Sequence, residues 1–381
     1  MSAKATAGEY RQQPGGYRAF EPAPLPPQPQ APIDEETQAL LSSADRALGR
    51  LDGSIQTLPD PNLFVFMYVR KEAVLSSQIE GTQSSLNDVL EAEAKLFKST
   101  HPDDVQEVIA YVAAMTHGLE RLHALPVSVR LICEVHEKLL RSVRGSELQP
   151  GRLRNKQNWL GPAGCTLHNA TFVPPPPSVV PDALADLERF LHQKDHIPTL
   201  IKIGLAHAQF ETIHPFLDGN GRVGRLLITL LLCERQVLMQ PVLYLSFYFK
   251  RHRDLYYEML QGTRNGDWTI WLKFFLKAIA EVSNEATETA RRIVSLRERH
   301  RAAIVQNFGR SAANGLTILQ SLYSQPYVSV NEIAEQAKVS FTAASSLMNR
   351  FVENGILFEI TGQARNRRFC YSDYVVLFAD N

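Results

Sequence analysis

Residues 200–236 read LIKIGLAHAQFETIHPFLDGNGRVGRLLITLLLCERQ, two strongly apolar stretches of helical character divided by the polar run His214-Pro215-Phe216-Leu217-Asp218-Gly219-Asn220-Gly221-Arg222-Val223-Gly224-Arg225. Pro215, Gly219 and Gly221 forbid a continuous helix, so the run is expected to be a loop that starts a new helix near Gly221. A helix N-terminus offers free N–H groups and partial positive charge to an anion. Arg222 and Arg225 are three apart and share a helical face, where they can reach successive phosphates of one ligand; a triphosphate fits best. Asp218 is a hard oxygen ligand beside those phosphates and suits Mg²⁺. His214, at the loop entrance, can accept a proton from an attacking hydroxyl near neutral pH.

Outward from this run the chain stays helical. Apolar residues recur three and four apart in Leu63–Ile79 and Leu86–Phe97, and helical patterns continue from Pro126 to about Glu281. One stretch breaks them. Leu153–Pro177 mixes aromatic and β-branched residues around Gly-Pro and Gly-Cys turns, which predicts a two-stranded hairpin projecting from a helical body. A charged connecting helix is expected over Asn284–His300. From Ser311 onward, three helical patterns and two strands (ILFEI and RRFCY) in that order predict a winged helix-turn-helix. The proline-crowded stretch Gln13–Pro32 favours extended backbone and predicts a leader without chemistry that lies along the surface or stays mobile.

The 381 residues allow two or three domains, and the formal net charge of zero gives no whole-chain field for nucleic acid or an acidic membrane. Cys133, Cys165, Cys233 and Cys370 form no C-x-x-C pair, which argues against a zinc ribbon or disulfide framework and fits a reducing compartment. With no apolar run long enough for a bilayer, the expectation is a soluble cytoplasmic protein.

The run 214–225 matches the signature H-P-F-x-[DE]-G-N-G-R-x-x-R at every defined position, and on it the chain is identified as similar to the Fic family of AMP transferases over roughly Phe64 to Lys277. The resemblance implies a protein adenylyltransferase that moves AMP from Mg·ATP to a Ser, Thr or Tyr hydroxyl of a protein target, itself included. It implies His214 as general base, Asp218 as Mg²⁺ ligand, and Asn220 and Gly221 as donors to the α-phosphate. Arg222 and Arg225 then bind the distal phosphates, within an ATP-binding run of Gly219, Asn220, Gly221, Arg222, Val223, Gly224 and Arg225. The stretch 153–177 resembles the family flap, an edge to which a target segment adds as a strand. Asn169, Ala170, Thr171 and Phe172 sit where flap, nucleotide and target meet. Tyr256, Tyr257 and Arg264 resemble positions that border the adenine.

Ser76-Ser77-Gln78-Ile79-Glu80-Gly81 resembles the family's inhibitory pattern [S/T]-x-x-x-E-[G/N]. Ser76 and Glu80 lie one turn apart on one helical face, and Gly81 permits the left-handed turn that ends the helix. The resemblance pairs Glu80 with Arg225, denying the γ-phosphate its partner, and it places the chain among members with an N-terminal inhibitory helix. His207 and His214 are seven apart with Glu211 between them, but no H-E-x-x-H is present, and His207 is expected to be a packed helix residue.

The expected architecture is mainly α: a Pro-rich leader (1–33), a helical N-terminal arm with the inhibitory helix (34–125), a Fic core with a β-hairpin flap (126–283), a connector (284–310) and a winged-helix domain (311–381). In that last segment five basic residues (Lys338, Arg350, Arg365, Arg367, Arg368) face six acidic ones (Glu332, Glu335, Glu353, Glu359, Asp373, Asp380). DNA is therefore a disfavoured partner, and a scaffold, a homodimer contact or a target-docking surface is favoured. The competing functions are removal of AMP, transfer from another nucleotide or phosphocholine-type donor, and an ATP-sensing transcriptional regulator.

Overall fold

A hairpin opens the chain: β1 (Gly8–Gln12) and β2 (Arg18–Pro22) pair antiparallel across a turn in which Gly15 and Gly16 take positive φ. The computed structural model describes residues 6–29, 31, 33–56, 61–94, 102–141, 149–363 and 365–379. The hairpin places paired strands where extended backbone is expected. Prolines crowd only from Pro22 onward, so the N–H groups upstream remain free to pair. Phe20 is fully buried against Phe172, with ring centroids 6.0 Å apart, and its N–H donates to the Val173 carbonyl at 2.9 Å.

Four helices follow: α1 (Glu35–Gln56), α2 (Pro61–Ile79), α3 (Leu86–Glu93) and α4 (Pro102–Arg121). Two of them answer the periodicity of Leu63–Ile79 and Leu86–Phe97; residues 95–97, like Asp380, lie outside the described ones. The α3 start is set by a capping box, Ser85 with Asp88. Next come α5 (Val129–Leu140), α6 (Val180–His192), α7 (Thr199–Ile213), α8 (Asn220–Glu234), α9 (Ser246–Arg251) and α10 (Arg253–Arg264). Every residue of α7 from Leu200 to Ile213 is buried, and so is nearly all of α8. Helices apolar on all sides have no solvent face to offer, so these two form the centre.

No glycine or proline interrupts Trp268–Asn307, and α11 runs unbroken through it. The predicted connector is thus the second half of one 40-residue helix. Its first half packs along α1 and α7. There the Trp271 indole donates to the Gly204 carbonyl at 2.9 Å, and a Cβ on Gly204 would come within 2.9 Å of the Phe275 ring. Glycine is needed for this approach.

The C-terminal segment holds α12 (Ala312–Ser321), β3 (Tyr327–Ser329), α13 (Val330–Ala337), α14 (Phe341–Glu353), β4 (Phe358–Glu359) and β5 (Arg368–Cys370). β5 lies between β3 and β4 in a three-stranded antiparallel sheet. The chain then turns back through α15 (Ser372–Val375) and a 3-10 turn, Val376–Phe378, to lie on α2. The fold is mainly helical, as expected, and no helix among the described residues is long and apolar enough to cross a membrane.

Between α5 and α6 the expected flap meets itself at a single antiparallel bridge, where Leu160 and Phe172 exchange both backbone hydrogen bonds at 2.8 and 3.0 Å. Pro162 on one limb and Pro174 to Pro177 on the other remove the donors that a longer ladder needs. β2 supplies a further neighbour through the Phe20–Val173 bond.

Candidate active site

His214 ends α7 in a left-handed conformation, φ 49° and ψ 59°, and its N–H donates to the Phe210 carbonyl. This conformation is uncommon for a residue with a side chain. Arg154 braces it, donating from Nε to the His214 carbonyl and from its backbone N–H to the Pro215 carbonyl, both at 2.9 Å. The imidazole is half-buried at the wall of a cavity, with the Glu211 backbone beside its ring. Burial, with Arg264 and Arg154 nearby, pulls it down to about 3, so it is neutral and able to accept a proton across the physiological range.

The loop that follows is shaped by its own side chains. Asn220 closes it, accepting from the Phe216 N–H and donating to the Phe216 carbonyl, each at 2.8 Å. The Asn220 amide is thereby committed, and what it leaves for an anion are the first-turn N–H groups of α8, which have no intrahelical partner. Gly219 takes φ 74° at the turn. His136 on α5 stacks on Phe216 with centroids 3.7 Å apart and donates from Nε2 to the Asp218 carbonyl at 3.1 Å. Its Nδ1 accepts from the Gly151 N–H at 2.8 Å, which fixes the tautomer, and burial lowers it to about 4.

Arg222 and Arg225 leave one face of α8 but meet different carboxylates. Arg222 donates from Nη1 to Glu107 on α4 at 3.0 Å and lies 3.5 Å from Asp218. Arg225 is 2% exposed and reaches the end of α2: Nε donates to Ser76 Oγ at 2.8 Å, Nη2 to the Ser76 carbonyl at 3.0 Å and to Glu80 Oε1 at 2.5 Å. Burial opposes both charges of this pair. Their mutual attraction outweighs it, holding Glu80 below the ordinary carboxylate range and Arg225 firmly protonated. Gly81 follows at φ 107°, stopping the helix, and a Cβ on Gly221 would collide with Glu80 Oε1. The contact is possible only because position 221 is glycine.

The cavity, about 430 Å³, brings together Glu80, His214, Gly221 and Arg225 with Thr171 and Phe172 of the flap and Tyr256, Tyr257 and Arg264 of α10. Arg264 lies over the Phe172 ring, 3.4 Å from its centroid. Tyr256 is buried, its hydroxyl 2.9 Å from His207 Nε2, whereas Tyr257 keeps 41% of its surface. The lining does not include Asn169, Ala170, Asp218, Gly219, Asn220, Arg222, Val223 or Gly224. Asn169 instead closes a turn through Thr166, and Asp218, with 44% of its side chain exposed, stands beside Arg222. His207 is a packed helix residue, as its spacing predicts: its other nitrogen meets the Gly224 carbonyl at 3.0 Å, and burial lowers it to about 3. Among the described residues no group of three or more His, Cys, Asp or Glu side chains could hold a metal ion.

Glu107, His136, Arg154 and Glu211 escaped the sequence reading. The first three lie in unremarkable helical or loop contexts, and only the fold carries them to the motif. Glu211 is three residues before His214 and was legible, but only as a failed metal ligand.

Residues 38–120 match the Fic/DOC family N-terminal model, and residues 126–232 match the Fic/DOC family model. A probable protein adenylyltransferase of Aquifex aeolicus is 37% identical over 100 residues, 26% of this chain and 29% of that protein. The protein adenylyltransferase Fic of Drosophila erecta is 27% identical over 190 residues, 49% of this chain and 34% of that protein. The chain thus spans about a third of the length of these curated relatives. In fold it is similar to a crystal structure of a Fic family protein from Desulfovibrio desulfuricans, with TM-score 0.59 and 22% identity over 90% of this chain and 97% of the other. Two Fic/DOC family models thus match in succession, over residues 38–120 and 126–232, and the His214 loop lies within the second match.

Proposed function

We propose that the chain transfers AMP from Mg·ATP to a Ser, Thr or Tyr hydroxyl of a protein, and that Glu80 restrains it. The observation that carries this reading is the grip of Glu80 and Ser76 on Arg225 in the same cavity that His214 lines. A target segment lies along the flap with its hydroxyl toward His214. His214 takes the hydroxyl proton, the oxygen bonds to the α-phosphorus, and the bond to the β-phosphate oxygen breaks to release pyrophosphate. First-turn N–H groups of α8 and the guanidinium of Arg225 steady the charge. Asp218 would hold Mg²⁺, which neutralises phosphate charge when bound. Phe172, Tyr256, Tyr257 and Arg264 border the adenine. Residues 311–381 form a winged helix that serves as a docking or dimer surface.

While Glu80 holds Arg225, the γ-phosphate lacks its partner. Glu80 is 36% exposed but Arg225 only 2%, so solvent screens the pair in part and parting it costs more than parting an exposed ion pair. Even about 1.4 kcal/mol is tenfold. Glu80→Gly is therefore expected to raise AMP transfer at least tenfold, measured with labelled ATP and mass spectrometry of the products. Adding Arg225→Ala should abolish the gain. Transfer at the wild-type rate in Glu80→Gly, or a double variant as active as the single one, sinks the reading.

A further inference from the structure

Glu211 has no part in the mechanism above, yet it lines the cavity beside His214. It stands near the end of α7 and is 6% exposed, and its Oε1 is buried with no hydrogen-bond partner among the described residues. The fold makes room for it: a Cβ on Gly224 would collide with that same oxygen. A buried polar oxygen left unpaired is costly, and an apolar side chain of similar size would fill the space without that cost. The arrangement suits a group that finds its partner when the cavity is filled.

The charged and titratable groups facing Glu211 are Arg225 from α8, Glu80 from the end of α2, and Arg264 and Tyr256 from α10. Arg225 is already taken by Glu80 and Ser76, and no hydrogen bond joins it to Glu211 Oε1. An ionised Glu211 would repel a polyphosphate. Burial pushes its carboxyl up to about 7, so below neutral pH it is largely the acid, the form of a carboxyl that donates a hydrogen bond.

We propose that Glu211 is a nucleotide-binding residue that acts as the neutral acid, donating its O–H to a phosphate oxygen of ATP; the inference rests on the nucleotide site proposed above. Raising the pH ionises it and turns a donor into a repelling acceptor.

The test titrates the full chain, Glu211→Gln and Glu211→Ala with Mg·ATP and with adenosine between pH 6 and 8.5. Wild type should bind ATP about tenfold more weakly at the upper end than at the lower. Glu211→Gln, whose amide still donates, should keep the low-pH affinity and show only the nucleotide's own pH dependence. Glu211→Ala should lose about tenfold at pH 6, and adenosine should bind all three alike. Wild-type affinity that parallels the Gln variant across the range overturns the proposal, as does adenosine binding that shifts with the substitution. Because Glu211→Ala removes buried volume, the Gln variant alone suffices if the Ala variant does not fold. ATP binding indifferent to Glu211 removes this role only; no ATP binding by wild type removes the nucleotide site as well.

Discussion

Tyr68 and Ser76 lie two turns apart on α2 and meet their surroundings in opposite ways. The Tyr68 ring is buried edge-on against Phe378 at 5.2 Å and beside Tyr244 at 5.6 Å, and its hydroxyl donates to the Ala286 carbonyl at 2.9 Å. Phe378 in turn packs on Tyr374, so the last described turn of the chain is seated on the middle of α2. Ser76, equally buried, meets a guanidinium instead, and four residues on Glu80 meets the same one. The apolar contact gains from excluding water, and no soluble ligand offers it a better partner. The polar contact differs because a phosphate can satisfy Arg225 as well as a carboxylate can. One helix is thus anchored where exchange is unfavourable and, in the function proposed above, latched where a nucleotide competes.

The sharpest way to break this comparison is to separate the latch from the chemistry. In the Glu80→Gly background, His214→Ala should lower AMP transfer by 10²- to 10⁴-fold with the melting temperature and ATP affinity nearly unchanged. Near-normal self-modification by that variant removes His214 from its role. Because the imidazole is held at about 3, a histidine with the ordinary value is the wrong guide to its pH behaviour. A lowered value means that the base stays deprotonated as the pH falls from 8 to 5. The kcat/KM profile of Glu80→Gly should therefore show no acid limb near 6.5.

The anchor is tested next. Phe378→Ala should cost about 3 kcal/mol of stability, read by denaturant unfolding, since it empties a buried aromatic site. Transfer by the same change in the Glu80→Gly background should move less than about threefold. A loss of transfer without loss of stability would show that the anchor also sets the active site. The smallest effect is expected at Ser76→Ala. It removes one hydrogen bond to Arg225 and leaves the Glu80 contact, so basal transfer should rise about fivefold, corresponding to about 1 kcal/mol. A rise as large as that of Glu80→Gly would move the latch from the carboxylate to the hydroxyl.

Much of this is legible in the sequence. The apolar stretches on either side of His214 read as helices, and Pro215 and the glycines called for a loop between them, because backbone conformation at such residues is dictated locally. The same locality made Gly81 readable as a stop. The hairpin at Gly8–Pro22 was missed because nearby prolines suggested extended chain, while its pairing depends on a surface made by Phe172 and Val173 far along the sequence. The flap was expected as paired strands and closes at one bridge, since its prolines withhold donors.

Local chemistry set out the elements in advance: where helices run, where they stop, and which residues could accept a proton or meet a phosphate. Partnership was another matter. The resemblance pairs Arg225 with Glu80, but that Arg222, on the same helical face, turns to Glu107 follows from where α4 packs against α8. So does the isolation of Glu211 and the seating of Phe378 on α2. Burial and charge pairing depend on groups more than 100 residues apart being brought within a few ångströms, and no periodicity or spacing along the chain encodes that distance.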